Sequence, residues 1–229
     1  ASELSAEYLP VLDPVSNTAS KVAVPLLDPN TATKAPQTGF MASAYWGEEA
    51  IWPGQANVHN PMMDQLGRVW ITSRIRSDQD EPEFCKEGSS HPSAQATPLT
   101  SSGRQLAVYD PKTDETKLIN TCFGTHHVHF AYDDANNTAW TSGDPGVVGW
   151  LNMKMYDETG DEAASQGWTA LILDNNGNGT RDAYTEGDQP ADPTKDRRLN
   201  EGFYGVMPSP ADGSVWGTIL GLPGGIARI

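Results

Sequence analysis

The chain has 229 residues, of which 37% are hydrophobic, and it carries 30 acidic against 15 basic side chains, a formal net charge of −15. This acidity argues against binding to DNA or RNA, because affinity for a phosphate backbone depends on cationic side chains. The hydrophobic content is too high for a wholly disordered chain. No stretch approaches the run of about 20 apolar residues that a membrane-spanning helix needs, so membrane insertion is not expected.

The beginning of the chain and its cysteines bear on the compartment. It starts Ala1-Ser2-Glu3 without a basic and then apolar signal segment, as a mature, processed or trimmed protein would. Cys85 and Cys122 are too few for a disulfide scaffold or a thiolate metal cluster. They form either one disulfide in an oxidising compartment or two buried thiols. Together these features favour a secreted or periplasmic protein.

Two strand–turn–strand units are predicted along the chain, and a third is weaker. In the first two units an Asp-Pro pair followed by Ser or Thr builds the turn through side-chain bonds to the backbone. In the third, Tyr156-Asp157 leads to a strand displaced to about residues 168–173. The strands of the first two units are Tyr8–Val11 with Lys21–Val24, and Leu106–Tyr109 with Thr116–Ile119.

A second motif recurs three times, each time with a tryptophan three residues after a turn residue. Gly and Asn tolerate positive φ and suit the tight turn of a hairpin. The alternation of small apolar, Trp, and small or polar residues that follows is typical of a half-buried strand. The three copies are Asp64–Thr72, Asp134–Ser142 and Pro210–Thr218, with Gly67, Asn137 and Gly213 as turn residues.

The two motifs together predict an all-β fold, a β-propeller of four-stranded blades, with about three blades visible. The repeated tryptophans lie 70 and then 76 residues apart, more than the roughly 40–45 residues of a compact blade. The excess falls in long loop insertions near 30–57, 77–102 and 174–200. We therefore expect residues 1–229 to form one propeller domain or a partial propeller.

The last residues, Gly224–Ile229, look like the opening strand of a further hairpin. A propeller must close to hide its edges, and closed rings usually have at least four blades. The sequence therefore predicts either a fragment or a ring that another chain completes.

The turn Gly, aliphatic, Trp and Thr pattern resembles the virginiamycin B (streptogramin B) lyase family, which belongs to the NHL-type β-propellers. The residues that carry the resemblance are Gly67–Thr72, Gly213–Thr218 and Gly224–Ile229. The resemblance implies a propeller and a lyase that opens a cyclic depsipeptide by elimination, with a bound divalent metal and a histidine base. Propellers host many activities, so the motif is better evidence for the blade than for the reaction.

Three histidines are candidate catalytic or metal-binding residues. His59 and His129 each lie eleven residues before a repeated tryptophan, at the predicted start of an innermost strand facing a central channel. His127 shares the face of His129, and His126 points to the other face, because strand side chains alternate. The three imidazoles could bind a divalent transition metal or Mg²⁺ or act as a general base. Alternatively, they are structural and bond to carbonyls.

The insertion near 174–200 contains a candidate calcium loop. Asp174, Asn176, Asn178 and Asp182 occupy positions 1, 3, 5 and 9, Thr180 can offer its carbonyl, and Gly179 at position 6 permits the sharp bend. No Glu follows at position 12, so this would be a free-standing loop. The alternative is a plain turn rich in Asp and Asn.

Three functions compete. The first is a metal-assisted lyase or hydrolase with His59, His127 and His129 as ligands or base. The second is a non-catalytic propeller that binds a small molecule, glycan, peptide or partner subunit through its loops. The third is a structural component of an extracellular assembly. The resemblance favours the first.

Overall fold

A computed structural model describes residues 7–32, 54–131, 133, 135–143, 146–221 and 224–229. Strands account for 36% and helices for 10% of it, so the predicted all-β class is confirmed at the level of secondary structure. No helix in the described ranges is both long and apolar enough to cross a bilayer. The chain divides into two compact units: the residues up to Asp80 with Gly103–Asn120, and Glu81–Ser102 with Thr121–Ile229.

The first unit begins with an antiparallel hairpin of β1 (Tyr8–Asp13) and β2 (Thr18–Ala23). Its turn is the predicted Asp-Pro turn, because the Asp13 carboxylate accepts hydrogen bonds from the backbone of Val15 and from the Ser16 hydroxyl. The predicted insertion near 30–57 falls largely outside the described residues.

Four strands that follow each other in the chain form one antiparallel sheet of the first unit, here called meander 1. They are β3 (His59–Met63), β4 (Val69–Ser73), β5 (Gln105–Asp110) and β6 (Glu115–Ile119). The β5–β6 hairpin is the second predicted Asp-Pro unit. The core of the unit consists of aliphatic side chains of β1, of meander 1 and of the segments next to these strands. Its fully or nearly buried members are Leu9, Val24, Ala56, Val58, Ile71 and Ala107.

The turn between β3 and β4 is held by one buried carboxylate. Asp64 accepts bonds from the backbone and side chain of Arg68 and from the indole nitrogen of Trp70, which lies 2.9 Å away. Burial alone would raise the pKa of Asp64, but the bonds from Trp70 and Arg68 outweigh it and lower that pKa. Gly67 has φ +81°, so the prediction of a positive-φ turn residue is confirmed here, as it is at Asn137 and Gly213.

The insertion between β4 and β5 belongs to the second unit and folds into a 3₁₀ turn (Glu83–Cys85) and helix α1 (Pro92–Ala96). Helix α1 begins where it does because His91 Nδ1 accepts a bond from the Ser93 amide, and Pro92 suits the first helical position. The His91 ring also stacks on Trp168 at 4.8 Å. Cys85 in this insertion is disulfide-bonded to Cys122, with 5.3 Å between the Cα atoms.

Meander 2 is a second four-stranded antiparallel sheet in chain order. Two helices, α2 (Met153–Thr159) and α3 (Glu162–Ser165), precede its last strand. The third predicted turn is therefore wrong, since Tyr156-Asp157 lies inside α2, whereas the strand predicted at about 168–173 overlaps the observed strands Gln166–Ala170 and Ile172–Leu173. Asn152 caps that helix at Met155, and Gly160 ends it with φ +66°. The strands are β7 (Val128–Phe130), β8 (Thr138–Ser142), β9 (Val147–Asn152) and β10 (Gln166–Ala170).

Two smaller sheets complete the described part of the second unit. The first has the order β11–β13–β12 and lies in the insertion near 174–200. The second, meander 3, has the order β14–β15–β16. The strands are β11 (Ile172–Leu173), β12 (Tyr184–Thr185), β13 (Asp196–Arg198), β14 (Val206–Pro208), β15 (Val215–Ile219) and β16 (Gly225–Arg228).

Aromatic rings that lie flat on glycines give meanders 2 and 3 their close packing. A Cβ atom added at Gly217 would lie 2.1 Å from the Phe203 ring, and one at Gly149 would lie 2.2 Å from the Phe123 ring. Phe203 belongs to a buried cluster that joins the two meanders. The other members are Val148, Leu171, Val206, Val215 and Ala227, with Trp140 partly buried against them.

We predict that Gly217→Ala destabilises the protein by about 1–3 kcal/mol, because the added methyl group must displace the Phe203 ring from a packed core. Gly225→Ala is the matched control, since a Cβ atom there meets nothing within 4 Å. Urea unfolding of the two variants should separate them, and equal free energies of unfolding would contradict this account of the packing.

Loss of the disulfide should also be costly, because it closes a loop across a sequence separation of 37 residues. The double variant Cys85→Ala and Cys122→Ala should lose about 3–4 kcal/mol of unfolding free energy through loop-closure entropy. Reductant should destabilise the wild type in urea unfolding and leave the double variant unchanged. A double variant as stable as the oxidised wild type would contradict the prediction.

Candidate functional site

The hairpins that carry the repeated tryptophans share a hydrogen bond that the sequence motif does not reveal. The hydroxyl group two residues after each tryptophan bonds to the backbone of the facing chain segment. In the first hairpin it donates to a carbonyl, and in the other two it accepts from an amide. This bond fixes which residue lies opposite in each hairpin. The pairs are Thr72 with His59, Ser142 with His127, and Thr218 with Gly205.

The equivalence drawn from the eleven-residue spacing is therefore wrong. His59 lies opposite Thr72, two residues beyond its tryptophan, whereas His129 lies directly opposite Trp140. The count fails because the two hairpin loops differ in length: Met62, eight residues before Trp70, lies opposite it, whereas His129 lies eleven residues before Trp140. A bulge between His59 and Met62 shifts the register by one residue and places His59 opposite Thr72. By register, His59 corresponds to His127.

The candidate histidines are divided between the two units. His59 begins β3 in the first unit and is half-buried. His127 and His129 belong to the second unit, where His129 is a half-buried residue of β7. His127 lies one residue before that strand begins.

His126 and His127 form an aromatic cluster with Tyr204 in the second unit. The two imidazole centroids lie 4.2 Å apart, and each lies 4.8–4.9 Å from the Tyr204 ring. The expectation that His126 points away from His127 is thus wrong, because the alternation of strand side chains starts only at Val128. The sequence does not predict His126 or Tyr204 as a site residue, since the two lie 78 residues apart in the chain.

Hydrogen bonding determines which ring nitrogen of His127 faces the Tyr204 carbonyl and carries a proton. His127 Nδ1 lies 2.7 Å from the carbonyl oxygen of Tyr204, and His126 Nδ1 lies 3.4 Å from the same oxygen. A carbonyl oxygen only accepts, so the Nδ1 atom of His127 carries the proton. A metal ion would therefore bind His127 through Nε2.

The predicted calcium-loop residues form one hydrogen-bonded loop. Asp174 accepts bonds from the backbone amides of Gly177, Asn178 and Gly179, at 2.7–3.2 Å. Gly179 has φ +76°, which confirms the sharp bend predicted there, and Gly177 has φ +72°. The whole turn therefore wraps around the Asp174 carboxylate.

Three of the other predicted ligands are hydrogen-bonded to the Asp182 carboxylate. One carboxylate oxygen accepts bonds from the side-chain amides of both Asn176 and Asn178, and the Thr180 hydroxyl lies 3.3 Å from the other. The bonds from Asn176 and Asn178 hold the pKa of the exposed Asp182 below its ordinary value. The carboxylate is thus charged well into the acid range and can serve as a cation ligand.

Asp196 on β13 anchors this loop and was not predicted from the sequence. It is buried, and its two carboxylate oxygens accept bonds from the backbone amides of Asn175 and Asp182, at 3.3 and 2.7 Å. Both ends of the loop therefore rest on one side chain. Because Asp196 lies 14 residues after Asp182, no local sequence pattern predicts that it belongs to the loop.

Comparison with known proteins gave no match to any family model, curated protein or solved structure. The resemblance to the streptogramin lyases therefore stays a prediction. The same holds for the roles of His59, His127 and His129.

Proposed function

We propose that this chain is an exported β-propeller module that binds Ca²⁺ through the loop Asp174–Asp182 and serves as a binding or interaction protein. The observation that carries the proposal is that Asn176, Asn178 and Thr180 all lie within hydrogen-bond distance of the Asp182 carboxylate, so that turning the two side-chain amides over would bring their oxygens to one cation beside it. Side-chain oxygens at alternate positions of a short glycine-containing loop are the ligand set that Ca²⁺ prefers.

The propeller assignment is supported by the order and packing of the sheets. Each meander has its strands in chain order, with the repeated tryptophan on the second strand. In the second unit, β14 of meander 3 lies against β7 and β8 of meander 2. Sheets of a propeller pack in this way, with the first strands nearest to the axis.

The outer face of meander 3 supports the same assignment. The side chains of Met207, Trp216 and Ile226 are 60%, 44% and 71% exposed to solvent. The strand register places all three on the same face of the sheet. The equivalent Trp140 packs against the cluster between meanders 2 and 3. A further sheet, from a longer chain or from a second chain, would cover Trp216 in the same way.

Export is supported by the Cys85–Cys122 disulfide, because disulfides persist in oxidising compartments. The net charge of −15 suits an extracellular protein that collects cations. Calcium is abundant outside cells, where weak sites with few carboxylates can fill. The loop has two carboxylates, Asp174 and Asp182, and fits this class.

Calcium should raise the thermal stability of the wild type, because a ligand that binds only the folded state at about 100 times its Kd stabilises it by about 2.7 kcal/mol. Asp174→Ala and the isosteric Asp182→Asn should abolish that rise. The measurements are calcium titration calorimetry and unfolding with Ca²⁺ or with chelator.

Asp192→Ala is the matched control for the calcium experiment. Asp192 lies in the same insertion and makes local contacts, accepting bonds from Thr194 and pairing with Lys195, so this variant should keep the full calcium effect. A wild type that unfolds at one temperature with Ca²⁺ and with chelator would refute the calcium site.

The second candidate function is a metal-assisted lyase or hydrolase that uses His59, His127 and His129. The observation that favours it is the bond from His127 Nδ1 to the Tyr204 carbonyl. Metal-binding histidines usually donate their other nitrogen to a carbonyl or carboxylate in this way, which orients the metal-binding nitrogen. His126 beside it is an additional candidate ligand.

If the second function holds, the protein should bind Zn²⁺ or Co²⁺, and His127→Ala and His127→Phe should lose that binding. The phenylalanine variant keeps an aromatic ring against Tyr204 while removing the ligand atom. His59→Ala and His129→Ala test the other two predicted ligands in the same titration. Asp182→Asn should leave transition-metal binding intact, and unchanged affinity in all the histidine variants would leave only the binding function.

A further inference from the structure

A mixed polar and aromatic cleft lies in the second unit, and its lining includes no residue of the candidate calcium loop and neither His126 nor His127. Its volume is about 480 Å³, which is within the range of small-molecule sites. The lining comes from meander 2 and from the turn between β14 and β15. The lining residues include Asp133, Asn136, Trp140, Trp150 and Asn152.

Two half-buried indoles form the wall of this cleft. Trp140 on β8 and Trp150 on β9 are cross-strand partners whose ring centroids lie 5.4 Å apart at an interplanar angle of 47°. Trp150 lies across Gly167 on β10, where an added Cβ atom would be 2.4 Å from the indole. Glycine at this position therefore lets the indole pack flat against the sheet, with its outer surface toward the cleft.

The rim of the cleft offers mainly hydrogen-bond acceptors and amides. Asp133 accepts bonds from the Thr138 amide and hydroxyl, one at each carboxylate oxygen, so each oxygen keeps a further lone pair. Asn136 and Asn152 are joined by a side-chain bond of 3.0 Å. Among the described lining residues, Asp133 is the one ionisable group. A ligand with many hydroxyl donors and no negative charge suits this rim.

We propose that this cleft binds a neutral oligosaccharide, with the sugar rings stacked on Trp140 and Trp150 and their hydroxyls bonded to the rim. Aromatic side chains present flat apolar surface beside polar groups, which matches the two faces of a sugar ring. A proline-rich peptide fits less well. It also docks on aromatic grooves, but it presents mainly carbonyl acceptors, and these cannot bond to the Asp133 carboxylate, which only accepts.

An adjoining cleft indicates a ligand longer than one sugar. It has a volume of about 460 Å³ and is also lined by Trp150. Its hydroxyl and carboxyl groups come from Ser89, Ser90, Ser93 and Asp161. One sugar chain that crosses the Trp150 indole would contact both clefts.

The test uses a panel of neutral hexasaccharides, namely maltohexaose, cellohexaose, xylohexaose, mannohexaose and N-acetylchitohexaose, measured by calorimetry and tryptophan fluorescence. At least one should bind, and Trp150→Ala should weaken its affinity by about tenfold or more. The exposed Asn136→Ala variant should also weaken binding, which guards against a tryptophan variant that fails to fold. Trp216→Ala, which removes a half-exposed indole outside both clefts, should bind as the wild type does.

Three results would overturn the proposal. The first is that no sugar of the panel binds at millimolar concentration. The second is that a sugar binds equally well to the wild type and to both cleft variants. The third is that a polyproline peptide binds in a Trp150-dependent manner while the sugars do not. Calcium-free protein that still binds the sugar would support this site even if the calcium proposal failed.

Discussion

The architecture depends on one constraint, that a sheet must bury its faces against another element and therefore needs close contact across the interface. In the second unit this contact is a phenylalanine ring pressed onto a glycine, Phe203 on Gly217 and Phe123 on Gly149. The missing side chain lets the ring lie flat, so the sheets approach to van der Waals distance with little empty space. The Cys85–Cys122 bond then ties the insertion that holds α1 to the segment before β7, beside Phe123 and Trp168.

Register, rather than sequence spacing, decides which polar groups become equivalent in the repeats. A hydroxyl two residues after the tryptophan bonds to the facing backbone in all three hairpins, to a carbonyl at His59 and to an amide at His127 and Gly205, but the hairpin loops differ in length. Counting along the chain therefore matches His59 with His129, whereas the hydrogen bonds match it with His127. The difference in loop length causes this mismatch, and the bulge in β3 shifts the pairing of His59 by one residue.

Local chemistry accounts for what the sequence could predict. Asp13 and Asp110 bond to the backbone within their own turns, and Gly67, Asn137 and Gly213 adopt positive φ, so those hairpins follow from a few neighbouring residues. The calcium loop could be proposed for the same reason. Helix α2 was missed although its signals were present, namely Asn152 at its start and Gly160 at its end. Asp196 and Tyr204 were missed because their partners lie far away in the chain.

The calcium loop and the aromatic cleft are connected through β10. Arg181 in the loop donates to the Thr169 hydroxyl on that strand at 3.0 Å, and Asp196 ties the loop to β13, which pairs with β11 just after β10. Strand β10 also carries Gly167, on which the Trp150 indole rests. A cation that neutralises Asp174 and Asp182 would order the loop and, through these bonds, hold β10 in place. The insertion would then stabilise the surface on which a ligand stacks while contributing no contact to the ligand itself.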